Sequence, residues 1–290
     1  MAASAASAAS AASAGERIAD LTLVSCWYSL KNKFNHDTYG KWMGNFIPNI
    51  SNFKLVIFTD SSGFDTVSSF INEHNKHLVK VIIREIHELE GYAMKDSWIE
   101  NHSKNRLLNE RIQWELNMLW SEKIRFVKLA HDLGLIKTKW CGWCDIGYFR
   151  GRSNDVPVEN IKKWPSPEII LSLNRNKIYY GFVGHPNTFG VIKSLCENQT
   201  ENGLPITPIP PDQVSVAGGF FITNINMIQW WYDTYYTMLN LYLNNKYLVK
   251  DDQMIIINCI VLHLDKFSLV REKNPRVYDE WFVFQRVLCE

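Results

Sequence analysis

Leu-Thr-Leu-Val-Ser-Cys-Trp, the stretch Leu21–Trp27, carries no charge and is bounded by polar residues. A short uncharged run with β-branched Thr22 and Val24 suits a strand buried on both faces, the kind found in parallel sheets. Two further runs of the same type follow, at residues 53–58 (Phe-Lys-Leu-Val-Ile-Phe) and 78–84. Helical spacing fills the intervals, at residues 36–47, stopped by Pro48, and at residues 64–74. Strands that alternate with helices imply crossover units and a parallel sheet covered by helices on both sides. The predicted class is α/β, a Rossmann-like, mostly parallel sheet flanked by helices.

Further along, the longest helical pattern covers residues 105–133. Leu108, Ile112, Leu116, Leu119, Ile124, Val127 and Leu129 recur in it, with a slip near Trp120. Gly134 is placed to end it, since glycine enters the left-handed conformation freely. Residues 139–149 read as a strand. Eight of the ten prolines fall between Gly151 and Pro211, which predicts long loops around strands at residues 169–173 and 177–183. A strand at 216–223 and helices at 226–243 and 251–264 complete the pattern. No linker divides the chain, so residues 17–290 read as one domain whose C-terminal half is irregular. Residues 1–16, four Ala-Ala-Ser copies and Ala-Gly-Glu after Met1, read as a flexible tail. They have neither the basic start nor the apolar centre of a secretion signal.

The formal charge of +1 lacks the basic excess that general nucleic-acid binding requires. No apolar run approaches the ~20 residues of a membrane span. Six cysteines without secretory context predict thiols in a reducing, cytoplasmic compartment. Aromatic residues make up 13% of the chain, with 11 Trp; they serve an aromatic-heavy core or offer faces for sugars and bases.

Three motifs can carry chemistry. Asp145, in Trp143-Cys144-Asp145-Ile146-Gly147, sits at the end of a predicted strand, where ligands of open α/β sheets bind. A carboxylate there holds a divalent metal, contacts a ribose, or merely caps a turn. Gly218 and Gly219 head an aromatic strand, where missing side chains admit a ligand or make a bulge. Lys250-Asp251-Asp252-Gln253 opens a helix, either as acids suited to its dipole or as groups for base chemistry and sugar hydroxyls. Successive helical positions diverge by about 100°, so the two acids are unequal. Ile255 and Ile256 follow Asp252 by three and four residues, which turns Asp252 towards the sheet and leaves Asp251 as a cap. Lys123, Arg125 and Lys128 precede the Asp145 strand and could meet a diphosphate or form a solvated face. Cys141 and Cys144 form a Cys-x-x-C, but a strand sequence follows them instead of the helix start that thiol redox chemistry needs.

The order of these motifs resembles that of glycosyltransferases of the GT-A fold. More closely, the chain resembles the HtrL/YibB-like proteins. The matching stretches are Leu23 to Tyr28, Tyr39 to Trp42, Leu55 to Asp60, Trp120 to Lys123, Trp143 to Gly147 with Phe149-Arg150, Gly218 to Phe221, and Asp251-Asp252-Gln253. The resemblance implies transfer of a sugar from a nucleoside-diphosphate donor to a glycan hydroxyl. It implies Asp60 beside the nucleotide, Lys123 and Asp145 near the diphosphate, Gly218 and Gly219 near the sugar, and Asp252 with Gln253 at the reacting centre. Asp145 and Asp252 are then the catalytic candidates. Such enzymes commonly carry Asp-x-Asp, and here the sequence is Asp145-Ile146-Gly147. A divalent metal, Mn2+ or Mg2+, would need other ligands beside Asp145, for which Asp252 and His263 are candidates. A protein that keeps the fold and binds nucleotide or carbohydrate without catalysis is the alternative.

Overall fold

A computed structural model describes residues 18–289; the Ala/Ser tail expected at residues 1–16 lies outside them. Seven strands form one sheet: β1 (Leu21–Trp27), β2 (Lys54–Thr59), β3 (Val79–Ile83), β4 (Trp140–Cys144), β5 (Ile178–Phe182), β6 (Val216–Asn224) and β7 (Phe267–Arg271). Their order is β3-β2-β1-β4-β6-β5-β7. Only β6 runs against the others, pairing antiparallel with β4 and β5, while the remaining pairs are parallel. The chain starts at β1, steps outward to β2 and β3, then returns to β4 on the other side. The β1/β4 boundary is therefore the switch point, outside whose carboxyl ends an open α/β sheet opens a crevice.

Ten helices accompany the sheet among the described residues: α1 (His36–Phe46), α2 (Phe64–Ser68), α3 (Lys95–Lys104), α4 (Trp114–Ser121), α5 (Lys123–Asp132), α6 (Pro167–Ser172), α7 (Pro186–Glu197), α8 (Ile228–Asn244), α9 (Asp252–Leu262) and α10 (Phe284–Val287). Alternation along the strands builds two cores. Val24, Phe58, Cys141, Trp143 and Phe221 face α4, α5, α8 and α9, whereas Leu23, Ile57, Trp140, Cys144 and Phe220 face α1 and the C-terminal segment. Burial on both faces explains why β1 and β2 read as continuous runs. No helix of the described residues is long and apolar enough to cross a membrane.

Several expected elements differ. Residues 169–172 belong to helix α6, not a strand: the Ser166 hydroxyl accepts from the Ile169 N–H and Pro167 takes the first turn, a start signal that outweighs two isoleucines. The helix expected at 64–74 stops at Ser68, because Asn72 and Asn75 bond each other's backbone and Asn75 donates 2.6 Å to the Ile47 carbonyl. Residues 105–113, expected as the start of the longest helix, form turns, and the rest of that pattern becomes two helices, α4 and α5, that meet at Glu122, whose buried carboxylate accepts from the Gly91 N–H and from Arg125. Gly134 does end α5, with φ of 66° and the Leu135 N–H returning to the Ala130 carbonyl. The C-terminal half is more regular than its prolines imply: α7 starts on Pro186, and β5, β6 and β7 join the common sheet.

Candidate active site

Strand β4 stops at Cys144, and the next residue, Asp145, sits just outside the switch point. Two bonds fix its position: its N–H donates 2.8 Å to the Gly219 carbonyl, and Trp143 Nε1 donates 2.6 Å to Oδ1. The reversal of β6 matters here, because it brings the start of that strand, with Gly218 and Gly219, to the carboxyl end of β4. Side chains at either glycine would collide with the acids. A Cβ on Gly218 would come within 2.6 Å of Asp252 Oδ2, and one on Gly219 within 3.1 Å of Asp145 Oδ2. The glycine pair thus lets two carboxylates close over the strand.

Lys123 joins them. It opens α5 and is buried, with Nζ 2.8 Å from the Gly218 carbonyl, 3.2 Å from Asp145 Oδ1 and 3.0 Å from Asp252 Oδ2. Burial alone would push its ammonium down, but Asp145 and Asp252 together hold it above the ordinary lysine value. Asp252, the first residue of α9, is buried too, and burial raises its carboxyl from 3.8 to about 6 despite Lys123. Asp251 and Asp145 push it the same way.

The group opens onto a cleft of about 450 Å³ that also receives Gln253, Trp120, Arg150 and Trp281. Phe34, Tyr39, Trp120, Trp281 and Phe282 line the cleft; Trp42 packs on Phe34 and Tyr39, and Trp27 on Tyr39, with centroids about 5 Å apart, and both tryptophans line an adjoining pocket that shares Tyr39, Trp120 and Arg150 with it. Such a wall, beside a cluster of charges, suits a ligand with flat rings or pyranose faces at one end and charge at the other.

The other expected residues separate. Asp60 lies at the end of β2 and is engaged with its own turn, accepting 2.7 Å from the Gly63 N–H and 2.9 Å from the Ser62 hydroxyl. His263 ends α9, ~16 Å of helix away from Asp252, against the Trp230 ring. It therefore cannot share an ion with Asp145, which corrects its reading as a metal ligand. Arg125 pairs with Glu122 and covers the Tyr236 ring, and Lys128 pairs with Asp132. Asp251 stands at the N-cap position, but its side chain caps nothing; it is buried and pairs with Lys250 at 2.9 Å. Arg150 appears in the sequence only as part of a matching stretch, without a role, and Lys33 not at all, because a cation beside aromatic residues has no spacing rule to mark it.

Cys141 and Cys144 point into opposite cores of one strand. Three residues of strand hold their Cα atoms ~10 Å apart, beyond the roughly 7 Å that a disulfide spans. Both thiols are buried, which pushes them up and away from the reactive thiolate. Replacing both by alanine is expected to leave ligand binding unchanged and to alter stability alone. A disulfide-reducing activity lost with Cys141 would contradict this.

Asp252 also predicts a pH signature. Its folded value of about 6 lies above its ordinary 3.8, so the folded chain holds this proton more tightly than the unfolded chain does. The stabilisation is complete below about 3.8 and is lost as pH rises through about 6. Melting curves of wild type and Asp252→Asn across this range should diverge, the wild type alone losing stability with rising pH. Parallel curves would mean that the carboxyl titrates normally.

No family model matches the chain, and no curated protein matches it.

Proposed function

We propose that the chain is a cytoplasmic glycosyltransferase of the GT-A type, similar to the HtrL/YibB-like proteins, that moves a sugar from a nucleoside diphosphate to a glycan hydroxyl. The observation that carries this reading is the convergence of Asp145, Lys123, Gly218, Gly219 and Asp252 at the switch point, in a cleft with an aromatic wall. Chemically, Asp252 would take the proton of the accepting hydroxyl, as a base near neutral pKa does best. The hydroxyl oxygen bonds to the anomeric carbon while the bond from that carbon to the diphosphate breaks. The departing diphosphate keeps the electron pair, and fixed positive charge must meet it.

A sugar-nucleotide panel in a thermal-shift assay tests the reading. One donor at a hundred times its Kd should stabilise the chain by about 2.7 kcal/mol, roughly 5 °C or more at this size. A complete panel without a shift, with and without manganese, would sink the proposal. One observation favours the second reading, a binding protein without turnover: Lys123 already engages both carboxylates. A shift without product would decide for it.

A further inference from the structure

The carboxylate oxygens of Asp145 and Asp252 are already held by a cation of the chain. Lys123 has three N–H donors and three partners: Asp145 Oδ1, Asp252 Oδ2 and the Gly218 carbonyl, at 3.2, 3.0 and 2.8 Å. A Mg2+ or Mn2+ ion would draw on those same carboxylates. It would do so beside a buried ammonium, and like charges repel strongly where water is scarce. The next acid, Asp251, is buried against Lys250. The donor set does not fit a divalent ion.

Arg150 offers the charge that is left. It lies five residues beyond Asp145 and lines the same cleft. Its guanidinium rests among three rings, 4.4 Å from the centroid of Trp42, 4.8 Å from Phe282 and 5.3 Å from Phe34. Only Nε is engaged, with the Gly147 carbonyl at 3.3 Å, and among the described residues no carboxylate pairs with it. The two terminal nitrogens of a planar fork, oriented by rings and a backbone bond, suit two phosphate oxygens. Lys33, its ammonium 4.5 Å from the Trp120 centroid, adds a second cation to the cleft.

We infer that the cleft binds a diphosphate without a divalent metal: Lys123 takes the metal's place between Asp145, Asp252 and Gly218, and Arg150 holds the diphosphate. The nature of the anion rests on the transferase reading; the exclusion of the metal by Lys123 does not.

Two measurements on the full chain test the parts separately. Paramagnetic resonance of Mn2+ titrated into the wild-type protein should register the ion as free. One Mn2+ bound per chain and lost in Asp145→Asn would overturn the role of Lys123, whatever the protein catalyses. Calorimetry with UDP and with pyrophosphate should give the same affinity in EDTA as in Mn2+, and Arg150→Ala should weaken it by about tenfold or more. Arg150→Lys should recover part of the loss. Binding that needs Mn2+, or that Arg150→Ala leaves unchanged, overturns the inference. If neither probe binds in either condition, the transferase reading fails and the role of Arg150 with it, while the Mn2+ titration still decides for or against Lys123.

Discussion

Lys123→Met is expected to lower the unfolding free energy by about 3–5 kcal/mol. The reason lies in what the substitution leaves behind. Methionine fills nearly the same volume, so the packing at the start of α5 changes little, but Asp252 stays buried with the cation it is paired to gone. Breaking one side of a buried ion pair is far more damaging than never having built it. The Gly218 carbonyl loses its donor as well. The size of the loss should depend on pH in a definite direction. Lys123 holds the Asp252 carboxyl down, so without it the group takes up a proton at a higher pH than in the wild type and relieves the uncompensated charge; the penalty should therefore shrink as pH falls. Urea unfolding of wild type and variant at two pH values measures both effects. A difference below about 1 kcal/mol, the usual worth of an exposed pair, would mean that water reaches the cluster freely.

Asp252→Asn is expected to reduce sugar transfer by about a hundredfold or more, the usual contribution of a positioned base. Asparagine preserves the shape and can still accept from Lys123, so the fold should survive and the loss should appear in the rate. Its neighbour is the control. Asp251 is buried beside it and pairs with Lys250, away from Lys123. Asp251→Asn should therefore change stability more than turnover. Rates of the two variants, each checked by its melting temperature, give the ranking. A reversed ranking would move the reacting centre to Asp251, and equal losses would point to the helix start as a whole.

How far the sequence foretells this site depends on the residue. Asp145 is legible because a strand end in an α/β chain is where ligands sit, and Gly218-Gly219 because adjacent glycines before an aromatic strand signal close approach. The inequality of Asp251 and Asp252 follows from helical geometry alone. What periodicity does not contain is the reversal of β6, since a buried strand reads the same in either direction. Without that reversal nothing predicts that the glycines arrive beside Asp145. Lys123 is visible as a basic residue near a helix start, but its three oxygen partners come from the residue after β4, from β6 and from α9, far apart in the chain. The readings that failed share a cause. Ile169, the residues after Ser68, and His263 were judged by their own type or period, whereas caps, asparagine bonds and the length of α9 decided their places.

Release of the nucleoside diphosphate shows whether the Asp145–Lys123–Asp252 cluster transfers sugar. Wild type and Asp252→Asn would be incubated with UDP-, GDP- and ADP-sugars and a mixed glycan pool, and the freed nucleoside diphosphate measured over time. Wild type should consume at least one donor and yield a glycan of correspondingly greater mass, and Asp252→Asn should consume that donor about a hundredfold more slowly or worse. Release at equal rates from both proteins, or from neither with any donor, would contradict it.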